Sequence, residues 1–378
     1  MNQHSIVLGL DVHKETIAVA RADRSGGAPI WVGTIPNDPQ AVAKLLRKQG
    51  ALAQIAVCYE AGPCGYGLYR QLTTLGVECT VVAPSLVPKA PGDRVKTDRR
   101  DALHLAELHR SGLLTPVWVP DAAHEALRDL VRARDQARQD QQRARQRLSK
   151  FLLRLGLKPP AGTRAWSKGY HRWLDAAHLE QPAQHLVLGE LVQQEALAKR
   201  RLARLDGEIT TQMQASALAP LWSALQVMRG LSTVTASVLI AELGDLSRFA
   251  HPCQVMAYAG LTSSEHSSGA RQQRGSITRA GNSAVRHVLV EMAWHYLKQP
   301  RVGEPLRRRQ CGQPEIAIAI AWTAQSRLHT RFHRLIFRGK PRPLAAVAVA
   351  RELLGPIWEI AQTVRISGSI PAAQAPVA

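Results

Sequence analysis

The stretch SIVLGLDVHKETIAVARAD, residues 5–23, decides the fold. It opens with a short apolar run, Ser5–Leu10, which leads directly into the acidic residue Asp11. A second apolar run follows at Thr16–Ala22. Short apolar runs bounded by polar residues are typical of buried strands. The stretch therefore predicts two strands, with a carboxylate where the first one ends.

The rest of the first 120 residues continues the alternation of strand and helix patterns. After a Gly-Gly turn, the predicted elements are strand, helix, strand, helix, strand and helix, at Ile30–Val32, Ala41–Lys48, Gln54–Tyr59, Tyr66–Leu75, Glu78–Val82 and Asp98–Arg110. Thr97 is the natural N-cap of the last helix. This order predicts a mixed α/β sheet in a first domain, residues 1–120.

A different pattern begins at residue 121. Apolar residues recur at steps of three and four through 127–155 and again through 188–209, which predicts two long amphipathic helices with a coiled-coil-like seam. A stretch with Pro and Gly separates them at 158–169. We predict a long coiled-coil helical arm, residues 121–215. It could join protomers, bind nucleic acid or do both, and a merely solvated helix face is the alternative.

Residues 216–365 form a third predicted domain, which is mainly helical. Its helices are predicted at Leu221–Met228, at Val234–Leu243, and near 283–298 and 314–335, with a loop rich in Ser, Gly and Arg at 262–282. Residues 366–378 are small and include Pro, which predicts a disordered tail. The predicted fold class is therefore α/β plus all-α.

The charge of the chain points to a polyanionic partner. There are 49 Lys and Arg against 29 Asp and Glu, which leaves a net charge of +20. Residues 1–120 hold 13 basic and 10 acidic side chains, and the remainder holds 36 and 19, so the excess lies after residue 120. Basic surfaces bind nucleic acid because phosphate contacts release counterions. A basic protein that is merely soluble is the plainer alternative.

Cysteine content and hydropathy narrow the setting. The five Cys are an odd number without a CxxC pair, which favours a reducing, cytoplasmic setting and disfavours a disulfide framework or a zinc site. No apolar run approaches 18 residues, so no membrane span is expected. The N-terminus lacks the pattern of a signal peptide.

Four acidic residues occupy positions at which a metal site could form. Asp11 and Glu60 end the first and fourth predicted strands, and Asp98 and Asp101 share one face of the following helix because they are three residues apart. Clustered carboxylates become favourable when divalent cations neutralise them, and Mg²⁺ prefers oxygen ligands. Each acid alone is weak evidence, since a turn acid or a helix-start charge explains it equally well. The conjunction of all four predicts an Mg²⁺ or Mn²⁺ site for phosphate chemistry.

Three motifs around these acids resemble a known family. GLDVHKE at 9–15, YEAGPCGY at 59–66 and RVKTDRRDALHLAEL at 94–108 are similar to the RuvC-type DEDD domain of insertion-sequence family 110 transposases, which includes the Piv-type DNA invertases. The resemblance implies a ribonuclease H-like fold for the first domain. It also implies that the metal-binding, catalytic acids are Asp11, Glu60, Asp98 and Asp101.

The resemblance continues in the C-terminal region. AYAGLT at 257–262, Ser268–Gly269, Arg274–Gly275 and ITRAGNSAVRHVL at 277–289 are similar to the family's serine transposase domain. In that family a serine directly before a glycine attacks DNA and forms a phosphoserine link, and Ser268 matches it. Ser267 is adjacent and leaves an ambiguity of one residue. From the residues alone, a flexible basic loop whose serines are spacers explains the segment as well.

Basic residues near these motifs are candidates for nucleic-acid binding. Guanidinium groups hold phosphate oxygens well, and Lys adds a compact charge. The candidates are Lys96, Arg271, Arg274, Arg279 and Arg286.

Residues 227–243 resemble a helix-hairpin-helix, a turn whose backbone amides grip phosphate. The usual second glycine is replaced by Ser232, which puts that grip in doubt. The helices could serve only as scaffold.

The prediction is a transposase or site-specific recombinase that acts on element ends and target DNA. The resemblance further implies a homodimer or homotetramer and a structured noncoding guide RNA that bridges donor and target DNA. One alternative is a RuvC-like junction endonuclease that uses water. Another is a non-catalytic nucleic-acid-binding protein.

Overall fold

A computed structural model describes residues 4–88, 97–268 and 272–367 of the chain. These residues form two compact units, one ending at Val119 and the other starting at Pro120. Lys96, Arg271 and residues 368–378 of the predicted tail lie outside the described residues, whereas the first two residues of that predicted tail (366–378) belong to the last helix. Among the residues that are described, no helix is both long and apolar enough to cross a membrane.

The described residues of the first unit form five strands and three α-helices. In chain order they are β1 (Ile6–Val12), β2 (Thr16–Asp23), β3 (Ile30–Pro36), α1 (Pro39–Gln49), β4 (Ile55–Glu60), α2 (Gly67–Thr74), β5 (Glu78–Val82) and α3 (Asp98–Arg110). The strands form one sheet in the order β3-β2-β1-β4-β5. β1 is antiparallel to β2 and parallel to β4, and β4 is parallel to β5. The predicted mixed α/β sheet is confirmed.

The strand ends differ from the sequence prediction most at β1 and β3. β1 continues through Val12, so Asp11 lies inside the strand and not after it. β3 extends to Pro36, four residues beyond the predicted end, because it pairs along β2 although its own side chains alternate between exposed and half-buried. Pairing with a neighbouring strand, which no local pattern encodes, determines both ends.

The two faces of this sheet are packed differently. One face carries large apolar side chains such as Leu8, Leu10 and Tyr59, which pack against α1 and α2. The other face carries Val7 and small residues of β2 such as Ala20, and α3 packs on it. Small residues allow the backbone of α3 to approach the sheet closely.

Gly9 sets how close α3 lies to the sheet. A Cβ on Gly9 would lie 2.9 Å from the Cα atom of Ala106 and closer still to the carbonyl oxygen of Ala102 and the amide nitrogen of Ala106. On the neighbouring strand, the buried Cys58 thiol donates to the carbonyl of Leu105 at 3.4 Å. The helix backbone therefore rests directly on β1 and β4.

The second unit is almost entirely helical. Its α-helices are α4 (Ala122–Arg154), α5 (Lys168–Ala176), α6 (Pro182–Ala215), α7 (Ala219–Leu225), α8 (Thr233–Leu243), α9 (Pro252–Tyr258), α10 (Ser283–Ala293), α11 (Glu304–Gln310), α12 (Glu315–Phe337) and α13 (Arg342–Ser367). Two short strands, β6 (Ser263–Glu265) and β7 (Arg274–Ile277), form an antiparallel pair.

The two longest helices, α4 and α6, pack against each other in opposite directions. Arg134 pairs with Asp206 at one end of the contact, and Arg145 pairs with Glu195 nearer the other end. Glu195 is buried within the seam, where Gln141 also donates to it at 3.4 Å. A buried ion pair of this kind favours one register of the two helices over its neighbours.

α13 is the longest of the elements that the sequence pattern did not predict. Its buried residues lie all along its length, from Ala345 to Val364, and contact α7, α9, α10 and α12. A helix that is apolar on most sides lacks the polar stripe by which amphipathic helices are recognised, and Pro356 lies inside it. The shorter helices α5, α9 and α11 were not predicted either.

Candidate functional site

The carboxyl ends of β1 and β4 bring the first two acids to one edge of the sheet. These strands are parallel neighbours, and their register pairs Leu10 with Tyr59. The next residues along each strand are Asp11 and Glu60, so these carboxylates leave adjacent strands on the same face. That face is the one covered by α3, because Asp11 lies two residues beyond Gly9.

The amino end of α3 brings the other two acids to the same unit. Thr97 caps the helix, its hydroxyl accepting from the amide of Arg100 at 3.3 Å. Asp98 and Asp101 occupy the first turn, where the helix dipole favours negative charge. The predicted cap and both predicted ends of this helix are confirmed.

Asp11 and Asp98 meet at this edge, together with a histidine that the sequence reasoning did not single out. The Nε2 atom of His13 lies 3.2 Å from Oδ2 of Asp11 and 3.4 Å from Oδ1 of Asp98. Potential ligand atoms of these three residues all lie within 4.8 Å of one another. Among the described residues, Glu60 and Asp101 stand outside this tight group.

Neighbouring charged groups act on the pKa of the Asp11 carboxyl. Burial raises the pKa of its carboxyl, and the charges of Asp101 and Asp98 raise it further, whereas His13 lowers it. Asp101 is therefore close enough to act on Asp11 although it is outside the tight group. Carboxylates that raise one another's pKa are stabilised by a shared cation.

The donor set fits a hard divalent cation. The residues at this edge offer carboxylate oxygens, which Mg²⁺ and Mn²⁺ prefer, and a single imidazole. No cysteine thiol belongs to the group among the residues that the structure describes. A donor set of this kind suits a divalent metal that is held mainly by oxygen ligands.

Ser267 and Ser268 lie at the tip of the β6–β7 hairpin in the second unit. The Ser267 hydroxyl donates to Glu265 at 2.7 Å and accepts from the amide of Gln273 at 3.3 Å, so it ties the two sides of the hairpin together. Ser268 follows it and is exposed. Gly269, which the sequence motif places next, lies outside the described residues.

The described candidate arginines near this hairpin differ in how they are engaged. Arg274 is two-thirds exposed and lies 3.6 Å from the carboxylate of Glu265. Arg279 is exposed and has a φ of 56°, a conformation that non-glycine residues rarely adopt. Arg286 donates to the carbonyl of Ala259 at 2.8 Å, which gives it a structural role. Arg274 and Arg279 thus present the more accessible charges.

Two glycines at the base of the hairpin allow backbone segments to cross. A Cβ on Gly260 would lie 2.9 Å from the carbonyl of Ala280, and one on Gly281 would collide with the carbonyl of Tyr258. Both glycines have positive φ. The sequence motifs AYAGLT and TRAGN therefore meet backbone to backbone, which explains the glycine in each.

A buried carboxylate in α8 connects three elements near this base. Glu242 is 2 % exposed and receives hydrogen bonds from Arg132 of α4 at 2.8 and 3.0 Å. Asn282 donates to it at 2.7 Å and also caps α10. The sequence reasoning missed Glu242, because its partners lie more than a hundred residues before it and forty residues after it.

The helix-hairpin-helix-like turn uses its backbone for its own cap. The Ser232 amide donates to Oγ1 of Thr235 at 2.6 Å, and the Thr235 amide donates back to Ser232. This is a reciprocal capping box. The amide of Ser232 is therefore already engaged, which agrees with the doubt raised by the missing glycine.

Two transposase family models match this chain, one in its N-terminal part and one in its C-terminal part. A transposase family model of the DEDD IS110 type matches residues 8–156. A second model, described as Transposase IS116/IS110/IS902 family, matches residues 223–306. The first match covers the acidic residues, and the second covers the hairpin with its serines.

Curated relatives extend the similarity over most of the chain. A Sinorhizobium fredii protein, y4qE, provisionally named a transposase, is 42% identical over 95% of this chain and 89% of its own length. The transposase for insertion sequence element IS1533 of Leptospira borgpetersenii is 30% identical over 88% of this chain and 97% of its own. The transposase for insertion sequence element IS1111A of Coxiella burnetii is 22% identical over 76% of each.

Proposed function

This chain belongs to the IS110/IS116/IS902 family of insertion-sequence transposases, and on that basis we propose how its residues divide the work of DNA strand transfer. A transposase acts on DNA, and the DEDD domain implies a divalent metal. In the proposal, Asp11, Glu60, Asp98 and Asp101 hold that metal, and Ser268 attacks the DNA. The supporting observation is the meeting of Asp11 and Asp98 beside the end of β4.

The proposed metal is Mg²⁺ or Mn²⁺. When bound, it neutralises charge on the phosphate that is attacked and on the leaving oxygen. Asp11 and Glu60 are well placed to hold it, because they project from neighbouring strands that the sheet keeps fixed. Asp98 and Asp101 share the first turn of a capped helix. The geometry of Gly9 keeps that helix against the sheet.

The proposed reaction at Ser268 is a transesterification. Its Oγ forms a bond to the phosphorus, the bond from phosphorus to one deoxyribose oxygen breaks, and the serine proton is balanced by protonation of that oxygen. Attack by a strand hydroxyl on the phosphoserine then rejoins DNA and restores the serine. Ser268 is favoured over Ser267 because the Ser267 hydroxyl is held by Glu265 and Gln273.

The proposed partners are nucleic acid and further copies of this chain. Nucleic-acid phosphates are contacted by Arg274 and Arg279, together with Lys96, Arg271 and Arg286.

The arm formed by α4 and α6 joins protomers into a homodimer or homotetramer, supported by the exposed Leu186 and Leu197 on α6. The active assembly then combines the acids of one protomer with the serine of another. A structured noncoding RNA guides it, supported by the positive excess after residue 120.

A denaturing gel of the protein incubated with element-end DNA and Mg²⁺ tests the chemistry. We expect a covalent protein–DNA adduct from the wild type and from Ser267→Ala, and none from Ser268→Ala. Cut DNA without an adduct would instead identify a nuclease that uses water. If Asp11→Ala and Ser268→Ala both leave transposition intact, the proposal is wrong.

A further inference from the structure

A cleft of about 550 Å³ lies beside the helix-hairpin-helix-like turn at Arg229–Ser232. In the sequence, this turn precedes the β6–β7 hairpin that carries the serines. Its walls are this turn, the carboxyl half of α10 and the segment leading into α11. Three arginines line it, namely Arg229, Arg301 and Arg309. Among the described residues that line it, Glu291 is the one acid. The cleft therefore carries a local excess of positive charge.

Two of these arginines, Arg229 and Arg309, are held in place by backbone carbonyls. Arg229 donates through Nη1 to the carbonyls of Lys298 and Gln299, at 3.2 and 2.8 Å, and Arg309 donates through Nε to the carbonyl of Gln226 at 3.1 Å. Neutral carbonyls orient a guanidinium without cancelling its charge. Within the described part of the chain, none of the three arginines forms an ion pair with a carboxylate.

The titration behaviour of the cleft reflects this excess. Burial lowers the pKa of Arg229, and the charge of Arg301 lowers it further, although Tyr296 acts in the other direction. Burial likewise lowers the pKa of His295, and Arg229, Lys298 and Arg309 add to that effect while Glu291 opposes it. Cations that depress one another's pKa are stabilised when an anion is placed among them.

Gly230 lets the turn lie close to α10. Gly230 has a φ of +89°, and a Cβ there would lie 2.9 Å from Cγ of Met292 and 3.2 Å from the ring of His295. The turn is therefore packed tightly against α10. The amino end of α8 lines the same cleft and adds partial positive charge. Because Arg229 and Arg309 are fixed before binding, they lose less entropy when an anion binds.

We infer that this cleft binds a backbone phosphate of the DNA substrate through Arg301 and Arg309, with Arg229 behind them. The grip that a helix-hairpin-helix makes with backbone amides is replaced here by guanidinium groups, because the Ser232 amide is taken up by the capping box. The inference depends on DNA being the substrate of the family and not on the metal or serine chemistry proposed above.

The inference is tested by measuring binding to a short DNA duplex of arbitrary sequence. Fluorescence anisotropy reports the binding at a series of salt concentrations. EDTA is present, so that neither metal nor strand transfer contributes. The test variants are Arg301→Gln and the double variant Arg301→Gln/Arg309→Gln. The matched control is Arg308→Gln, also on α11, whose side chain is 78% exposed and pairs with Glu304. It removes the same charge outside the cleft.

We expect Arg301→Gln to weaken DNA binding on the order of 5-fold and to reduce the salt slope by about 1, and the double variant to weaken it further. Arg308→Gln should leave the slope nearly unchanged. Equal slopes for Arg301→Gln and Arg308→Gln would overturn the inference. A loss of affinity for an RNA duplex of the same sequence, with DNA binding unchanged, would also overturn the inference. Equal losses of affinity for DNA and RNA support a phosphate site that DNA uses. If the double variant unfolds at a lower temperature than the wild type, the single variant Arg301→Gln decides the test, because Arg301 is exposed.

Discussion

Gly9→Ala is expected to separate the acids of α3 from those of the sheet. The added Cβ would lie 2.9 Å from the Cα of Ala106, and nearer still to two other backbone atoms of α3. Ordinary van der Waals contact begins at 3.4 Å, so the helix must retreat by at least 0.5 Å. The obstructing atoms are backbone, so no side chain can turn away to relieve the clash.

The cost follows from that geometry. Overpacking a close-packed site costs about 1–3 kcal/mol, so the midpoint of urea unfolding should fall. Asp98 and Asp101 move with α3, and a misplacement on the order of 1 Å can lower a reaction rate about 100-fold. Metal-dependent adduct formation should therefore fall far more than the folded fraction at low denaturant. Ala106→Gly should not rescue the variant, because it removes none of the atoms that clash.

Gly67→Ala is the matched control. Gly67 is the first residue of α2 in the same unit, it is exposed, and a Cβ there would meet nothing within 4 Å. This change should leave both stability and adduct formation close to those of the wild type, or stabilise slightly, by less than about 1 kcal/mol. Wild-type unfolding and activity in Gly9→Ala would refute the close packing of α3 on β1.

Three further predictions concern other contacts. Asp101→Asn should abolish adduct formation and spare DNA binding in a mobility-shift assay, because binding depends on the basic residues; equal loss of both would contradict separate roles. Glu242→Gln should destabilise the fold by about 2 kcal/mol in urea titrations near neutral pH, because it removes the buried carboxylate that accepts charge-assisted hydrogen bonds from Arg132, whose own side chain is 57% exposed. Burial raises the pKa of Glu242, but hydrogen bonds from Arg132 and Asn282 outweigh burial and lower it overall. A lowered folded pKa stabilises the protein above the unfolded pKa of about 4.3, so the stability gap between wild type and Glu242→Gln should shrink as pH falls below that value; a constant gap would show that the carboxylate is not the source.

The sequence predicted the first unit well because its signals are local. Each strand of the sheet except β3 is a short apolar run, and Thr97 before an acidic turn marks the start of α3. Carboxyl ends of parallel strands meet at one edge, so the placement of Asp11 beside Glu60 followed from the order of elements. His13 escaped notice because its role depends on the distance to Asp98, 85 residues later.

The second unit was harder to predict because its contacts are long in sequence. α13 is buried against four helices and has no polar stripe, so nothing local distinguished it. Gly260 and Gly281 are each explained only by the segment that crosses them. The hydrogen bond that engages the Ser267 hydroxyl comes from Gln273, which lies across the hairpin.

The bond between Glu242 and Arg132 also has a mechanical consequence. α4 has 33 residues, which at 1.5 Å per residue makes a rod about 50 Å long, and Arg132 lies near its first third. Glu242 links this rod to Asn282, which follows the glycine lying against Tyr258 at the base of the serine hairpin. A force applied at the far end of the rod therefore acts on the hairpin with leverage.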